Sequence, residues 1–204
     1  MTDSEQSLSD DVAFLRAMAE GDMSGAARAG AILVAIGLIF GLVAVQYWAI
    51  DSGFLTVSPP VSTWLWLDGL IPFLACMAII SAKFRANAPG AASRALAATW
   101  KGVGTAFIVA DVALYVASRE LGIPLLVKWI FPLVVFVLIG GAWGVAFAVR
   151  RRTAFGLLAG GNFLAAVLSG MAIGRPQEWL VLAAGLIFLV AIPGAVMLVA
   201  RSRR

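Results

Sequence analysis

The chain has 204 residues, of which 62% are hydrophobic and 13% are charged, and its mean hydropathy is +0.97. Soluble domains have about 45–50% apolar and about 25% charged residues, so this composition excludes a water-soluble fold and favours a protein embedded in lipid. The formal net charge is +4. Because the basic residues form short clusters between apolar runs, this charge indicates membrane topology and excludes a nucleic-acid-binding protein.

The first 28 residues are polar and are predicted to form a cytoplasmic segment. Within it, residues 9–21 have the pattern of a short amphipathic helix, with Val12, Leu15 and Met18 on one side and Gly21 expected to end it. A helix this short is marginal alone, so its apolar side needs a surface. Two alternatives stay open: the helix lies on the bundle or the lipid interface, or these three residues bind a cytoplasmic protein partner.

Residues 29–200 are predicted to form one transmembrane domain, an all-α bundle of six membrane-spanning helices, and residues 201–204 a basic cytoplasmic tail. Each apolar run is close to the roughly 20 residues that cross about 30 Å of hydrocarbon. The alternating pattern of barrel strands is not found in the sequence. The predicted spans cover residues 30–50, 61–82, 97–117, 125–149, 154–173 and 179–200.

Glycine pairs at GxxxG spacing occur in several of these runs. Small residues let helix backbones approach closely in lipid, so we expect these pairs to pack helices of the same chain against one another. The pairs are Gly37 and Gly41, Gly140 and Gly144, Gly156 and Gly160, and Gly170 and Gly174.

The basic residues predict the orientation of the spans, because Lys and Arg accumulate on the cytoplasmic side of a membrane protein. With both termini inside, the outer side carries only Arg119, Lys128 and Arg175, and most other basic residues flank the inner ends. Most tryptophans fall near the outer ends, as an interfacial aromatic belt requires. We therefore predict a multi-pass protein of the bacterial inner membrane with both termini in the cytoplasm.

Ionisable residues inside the predicted spans are the candidate functional residues, because an ionised aspartate at the membrane centre costs about 2.5–3.5 kcal/mol. Asp68 and Asp111 both lie about 10 Å below the outer boundary of the membrane, at a rise of about 1.5 Å per residue. We expect an outward-opening cavity that binds a ligand or an ion. The expected lining residues are Gln46, Asp68, Asp111, Tyr115 and Lys128.

The alternative to a cavity is a purely structural ion pair between Asp111 and Lys128, since their spans form one hairpin. Three other charged residues, Asp51, Arg175 and Glu178, are expected to be solvated at the outer rim. Asn162 is expected to hydrogen-bond a neighbouring helix.

The residues that the sequence lacks exclude several kinds of chemistry. The chain has no histidine, which excludes a His-based zinc protease, a bis-histidine haem site and a Ser-His-Asp triad. No P-loop, dinucleotide fingerprint or GxSxG elbow occurs. We therefore expect no enzyme activity, no catalytic residue, no cofactor and no bound metal.

The acidic start "DDVAFLRAMAEG", the six apolar runs and the basic end "RSRR" together resemble a family of uncharacterised bacterial inner-membrane proteins of six spans. The resemblance extends over the whole chain as a layout and implies the fold, but it brings no activity and no functional residue. We expect a membrane protein that binds or translocates a small solute or ion through the outer cavity. The alternative is a non-catalytic regulatory or scaffolding subunit that binds a cytoplasmic partner through its N-terminal helix.

Overall fold

The computed structural model describes residues 3–57, 59–83, 91–123 and 126–202, and describes the side chains of residues 27–57, 68–83, 94–123 and 126–199. Every element in these ranges is helical. The helices are α1 (Asp3–Asp51), α2 (Pro59–Lys83), α3 (Ala91–Glu120), α4 (Leu126–Arg150), α5 (Thr153–Met171), α6 (Gln177–Leu186) and α7 (Ile192–Ser202). A π-helical segment, Ile187–Ala191, joins α6 to α7, and we call these three elements the C-terminal stretch.

Five helical segments within the described part of the chain are long and apolar enough to cross a membrane. They are Ala27–Asp51, Arg94–Glu120, Leu126–Arg150, Thr153–Met171 and Gln177–Val199. Helix α2 covers the second apolar run of the sequence and has 25 residues. The prediction of a helical, membrane-type protein is thus confirmed.

Helix α1 is longer than its membrane span. It has 49 residues and continues from Asp3 to Asp51, so Gly21 does not end a separate N-terminal helix as expected. Glycine has a low helix propensity, but a single glycine costs only about 1 kcal/mol in a helix interior and does not have to break it. The side chains of Val12, Leu15 and Met18 lie outside those that the structure describes.

The centre of the bundle is formed by α1, α4, α5 and the C-terminal stretch. Helix α1 packs against the C-terminal stretch, and α4 packs along α5. The most deeply buried large side chains include Trp143 and Phe136 of α4 and Val190 of the π-helical segment. In the described residues, α2 packs against α1 alone, and α3 packs against α4 and an edge of α1. Helices α2 and α3 are therefore peripheral.

Glycines bring α1 and the C-terminal stretch into close contact. A Cβ atom at Gly194 would lie 2.7 Å from the carbonyl oxygen of Gly30, and a Cβ atom at Gly30 would lie 2.7 Å from that of Gly194. Gly37 likewise faces the backbone of Leu186 and Ala191. Because any side chain at these positions would meet backbone, the two helices can pack this closely only through glycine.

The GxxxG pairs follow the expectation of internal packing only in part. Gly37 and Gly41 face the C-terminal stretch, and Gly140 faces Phe163 and Asn162 of α5. For Gly144 and Gly160, in contrast, a Cβ atom would have no described atom within 4 Å. The reciprocal contact between Gly30 and Gly194 involves no predicted pair, whereas Gly37, where a Cβ atom would lie 2.5 Å from the carbonyl oxygen of Leu186, belongs to one.

The turns that follow α1, α3 and α5 lie at one end of the bundle, where α4 and α6 begin. We call this the outer end, following the sequence-based orientation. Each of these turns contains a glycine with positive φ, namely Gly53, Gly122 and Gly174. This left-handed conformation costs other residues about 1–2 kcal/mol, so the glycines permit the tight reversals that bring the helix ends together.

Candidate functional site at the outer end of the bundle

Asp51, the last residue of α1, joins three helices through its carboxylate. The Lys128 ammonium group of α4 lies 2.7 Å from Oδ1 and 2.7 Å from Oδ2. The indole Nε1–H of Trp179, from α6, donates to Oδ2 at 2.9 Å. The side chains of Lys128 and Asp51 are 32% and 21% exposed, so the pair is only partly solvated. Charge-assisted hydrogen bonds of this kind are stronger than neutral ones and fix the helix ends relative to one another.

Glu178 lies beside this ion pair and is almost completely buried. It is 3% exposed, although it is in the first turn of α6. Its Oε2 atom accepts the backbone N–H of Gly174 at 3.2 Å. Its Oε1 atom is buried and has no hydrogen-bond partner among the described residues. Lys128 is close enough to act on this carboxyl group electrostatically.

Aromatic rings close the cluster on the side of α1. The rings of Tyr47 and Trp179 are stacked, with centroids 4.7 Å apart and planes inclined by 19°. Lys128 Nζ lies 6.0 Å from the centroid of the Trp179 ring, at the limit of a cation–π contact. We call Tyr47, Asp51, Lys128, Glu178 and Trp179 the outer cluster. It contains two carboxyl groups and one ammonium group, and the ammonium group of Lys128 is paired with Asp51.

In the structure, the partner of Lys128 differs from the partner predicted from the sequence. Lys128 binds Asp51, so the alternative of an ion pair between Asp111 and Lys128 is wrong. The expectation of a solvated rim was also wrong for Glu178, which is buried, whereas Arg175 is exposed. Adjacency of spans in the chain suggested the Asp111 pairing, but the rotation of each helix about its axis decides which side chains meet.

The other four residues of the predicted cavity have exposed side chains: Gln46 on α1, Asp68 on α2, and Asp111 and Tyr115 on α3. Asp68 is close enough to Tyr47 to act on it electrostatically, so it lies near the outer cluster. The cavity formed jointly by all five residues stays a prediction.

Polar groups are also buried in the middle of the bundle. Asn162 of α5 is fully buried, but its Nδ2–H donates to the carbonyl oxygen of Leu158 in its own helix at 2.8 Å, and not to a neighbouring helix as expected. The Asn162 Oδ1, Ser169 Oγ and Trp143 Nε1 atoms have no hydrogen-bond partner among the described residues. Trp143 itself packs between Trp100 and Phe155.

The sequence could have indicated most of the outer cluster. Asp51 follows the first apolar run directly, and Glu178 and Trp179 begin the last one, so all three lie at outer span ends where chains reverse. An acid at one such end can accept the indole N–H of a tryptophan at another. No sequence signal distinguishes the buried Glu178 from an exposed acid at a helix start.

Within the described part of the chain, no group of three or more cysteine, aspartate or glutamate residues could hold a metal ion. No protein-family model, no curated protein and no solved structure matches the chain. The functional assignment therefore rests on the residues and contacts of the chain itself.

Proposed function

We propose that the protein is a non-catalytic subunit of the bacterial inner membrane that binds another membrane protein through the exposed side of α3. In this proposal the chain crosses the membrane six times with both termini in the cytoplasm. The observation that carries it is Asp111, an aspartate inside a membrane-spanning helix whose side chain is exposed on the surface of the bundle.

Five exposed residues of α3 follow one another at intervals of three and four, which places them on one side of the helix. We call them the α3 face: Lys101, Gly104, Ile108, Asp111 and Tyr115. The side of α3 that packs on α4 is different, and contains Phe107 in contact with Phe131 and Trp100 in contact with Trp143. Within the part of the chain that the structure describes, the α3 face is thus not used in packing the bundle.

The exposed side of α5 shows what a surface in contact with lipid looks like in this protein. Its large exposed side chains are all apolar and include Leu157, Leu164, Val167 and Met171. The α3 face, in contrast, contains a lysine, an aspartate and a tyrosine, and α3 is the least hydrophobic of the five candidate spans. This difference supports a protein partner in contact with α3, whereas α5 is in contact with lipid.

The chemistry of the α3 face specifies the partner. Asp111 lies nine residues before the end of α3, about 14 Å along the helix axis from it, and leaving its charge in lipid costs up to about 3 kcal/mol. A transmembrane helix with a Lys, Arg or other hydrogen-bond donor at this depth removes that cost. Gly104 has no described atom within 4 Å of a Cβ position, so a partner backbone can approach it closely.

A photo-crosslinking amino acid in place of Ile108, one turn from Asp111 on the α3 face, tests the proposal in the native membrane. We expect a cross-link to a second protein at Ile108, and only lipid adducts at Leu164 on the exposed side of α5, which serves as the matched control. Asp111→Ala should reduce the protein cross-link at least tenfold. Lipid adducts at both positions, or a product of two copies of this chain, would contradict the proposal.

Binding or translocation of a small solute or ion is the second candidate, favoured by the exposure of Gln46, Asp68, Asp111 and Tyr115, as an outward-open site requires. The variant Asp111→Asn separates the two functions. It retains hydrogen bonding to a partner helix and weakens the cross-link only in part, whereas loss of the charge at an ion site abolishes flux with the fold intact. A partner bound through Val12, Leu15 and Met18, in contrast, would be lost on deletion of residues 1–22 and not in α3 variants.

A further inference from the structure

We propose that Glu178 is a proton-binding site: its carboxyl group holds a proton that exchanges with the aqueous phase at the outer end, and release of this proton offers Lys128 a second carboxylate. In the release step, the O–H bond of the carboxyl group breaks, the proton passes to water and a carboxylate remains. This site is separate from the α3 face.

The hydrogen bonds of the outer cluster leave Glu178 without a counter-ion of its own. Lys128 lies 2.7 Å from both oxygens of Asp51, and Trp179 also donates to Asp51. Among the described residues, Glu178 accepts a single N–H, that of Gly174. With two carboxylates and one ammonium group, the cluster carries one negative charge too many, and a proton on Glu178 neutralises it.

Burial decides which of the two acids holds the proton. Glu178 is 3% exposed, whereas the Asp51 side chain is 21% exposed and paired with a cation. A buried unpaired charge costs several kcal/mol, while an unpartnered hydroxyl costs about 1–3 kcal/mol. The N-terminal end of α6 favours a carboxylate by only about 0.3–1 kcal/mol. This environment therefore stabilises the protonated, neutral form of Glu178.

The groups that face Glu178 define what proton release changes. Lys128 lies on α4, Asp51 and Tyr47 lie on α1, and Gly174 lies in the turn before α6, with the exposed Arg175 beside it. A carboxylate at Glu178 competes with Asp51 for Lys128, the one cation among the residues of the outer cluster. Proton release is thereby coupled to the contact between the ends of α1 and α4.

Infrared spectroscopy of the purified protein in lipid, with and without ¹³C-labelled glutamate, tests the proposal without altering the fold. We expect a carboxylic C=O band at neutral pH that shifts on glutamate labelling and disappears at alkaline pH. The band should be present in Glu120→Gln, which alters an exposed glutamate at the end of α3, and absent in Glu178→Gln, whose amide imitates the protonated acid.

Three results would overturn the proposal: a wild-type protein without such a band at neutral pH, a band that does not shift on glutamate labelling, or a band that responds to Na⁺ and not to pH. Thermal unfolding gives an independent measurement. Because the unfolded chain releases this proton at lower pH than the buried site does, the melting temperature of the wild type should fall relative to that of Glu178→Gln as the pH rises from acidic to neutral values, and the difference should then stay constant. Parallel pH profiles of the two proteins would also count against it.

Discussion

At the scale of single residues, the most informative side chain is Asp51. Its carboxylate accepts hydrogen bonds from Lys128 of α4 and Trp179 of α6, so one residue connects the ends of three helices. Solvent partly screens the ion pair. Its contribution to the free energy of unfolding therefore lies between about 0–1 kcal/mol, the value for an exposed pair, and the larger value for a buried pair.

A double-mutant cycle measures this pair. We expect Asp51→Asn and Lys128→Met to show a coupling energy of at least about 0.5 kcal/mol in reversible unfolding in detergent micelles, because the two charges are in direct contact. The cycle of Asp111→Asn with Lys128→Met is the control and should be additive. A larger coupling for Asp111 than for Asp51 would restore the pairing that the sequence suggested.

The sequence alone does not determine which of these charged side chains meet. Hydropathy locates Asp51, Asp111 and Lys128 along the membrane normal but contains no information on the rotation of each helix. Glu178 shows the same limit, because its burial depends on the packing around the first turn of α6. Tertiary packing determines both features, and a single sequence does not reveal it.

At the scale of the elements, hydropathy predicts the helices well. The predicted fourth span, residues 125–149, corresponds to α4 (Leu126–Arg150), and the fifth, residues 154–173, to α5 (Thr153–Met171). Long apolar runs have to be helical in lipid, because every backbone polar group needs an internal partner. The sequence did not predict that α1 continues without a break or that a π-helical segment precedes Pro193.

The π-helical segment has a local cause. Pro193 has no N–H to donate to the carbonyl of Leu189, and its ring conflicts with that carbonyl, so the preceding turn widens. The Leu189 side chain lies 3.0 Å from a Cβ position at Gly161 of α5, so the widened turn is packed against a glycine. The irregularity is thus accommodated inside the bundle.

The contact of α1 with the C-terminal stretch leads to a prediction about the stability of the protein. Gly194→Ala places a methyl group against the backbone of Gly30, and we expect it to destabilise the protein by about 1–3 kcal/mol through overpacking. Gly144→Ala is the matched control. Its position has no described atom within 4 Å, so the substitution should be neutral or should stabilise by up to about 1 kcal/mol. Equal effects in unfolding experiments would show that this contact is not tight.

At the scale of the whole molecule, the proposed number of six passes rests on hydropathy, and their proposed orientation rests on charge. The turn between α4 and α5 carries Arg150, Arg151 and Arg152, whereas the turn between α5 and α6 has Arg175 alone. Such asymmetry orients membrane proteins with the basic turns in the cytoplasm. Helix α2 is not among the five candidate spans of the described residues, so a direct measurement of whether it crosses the membrane is the decisive test.

Single cysteines in a Cys76→Ser background measure the topology. In whole cells, a membrane-impermeant maleimide should label Thr56→Cys and Arg175→Cys from outside, and should label Lys83→Cys and Arg152→Cys only after the membrane is opened. Thr56 and Lys83 lie on either side of α2, so opposite accessibility means that α2 crosses the membrane. Equal labelling of these two positions would leave five crossings.

The length of α1 has a mechanical consequence. Its candidate span begins at Ala27, so the 24 residues from Asp3 to residue 26 continue the helix for about 36 Å beyond the span. If this part of α1 moves as one straight helix, a tilt of α1 by about 10° in the lipid displaces its N-terminal end by about 6 Å. A rearrangement around Asp51 that tilts α1 would therefore also displace the N-terminal end of this helix.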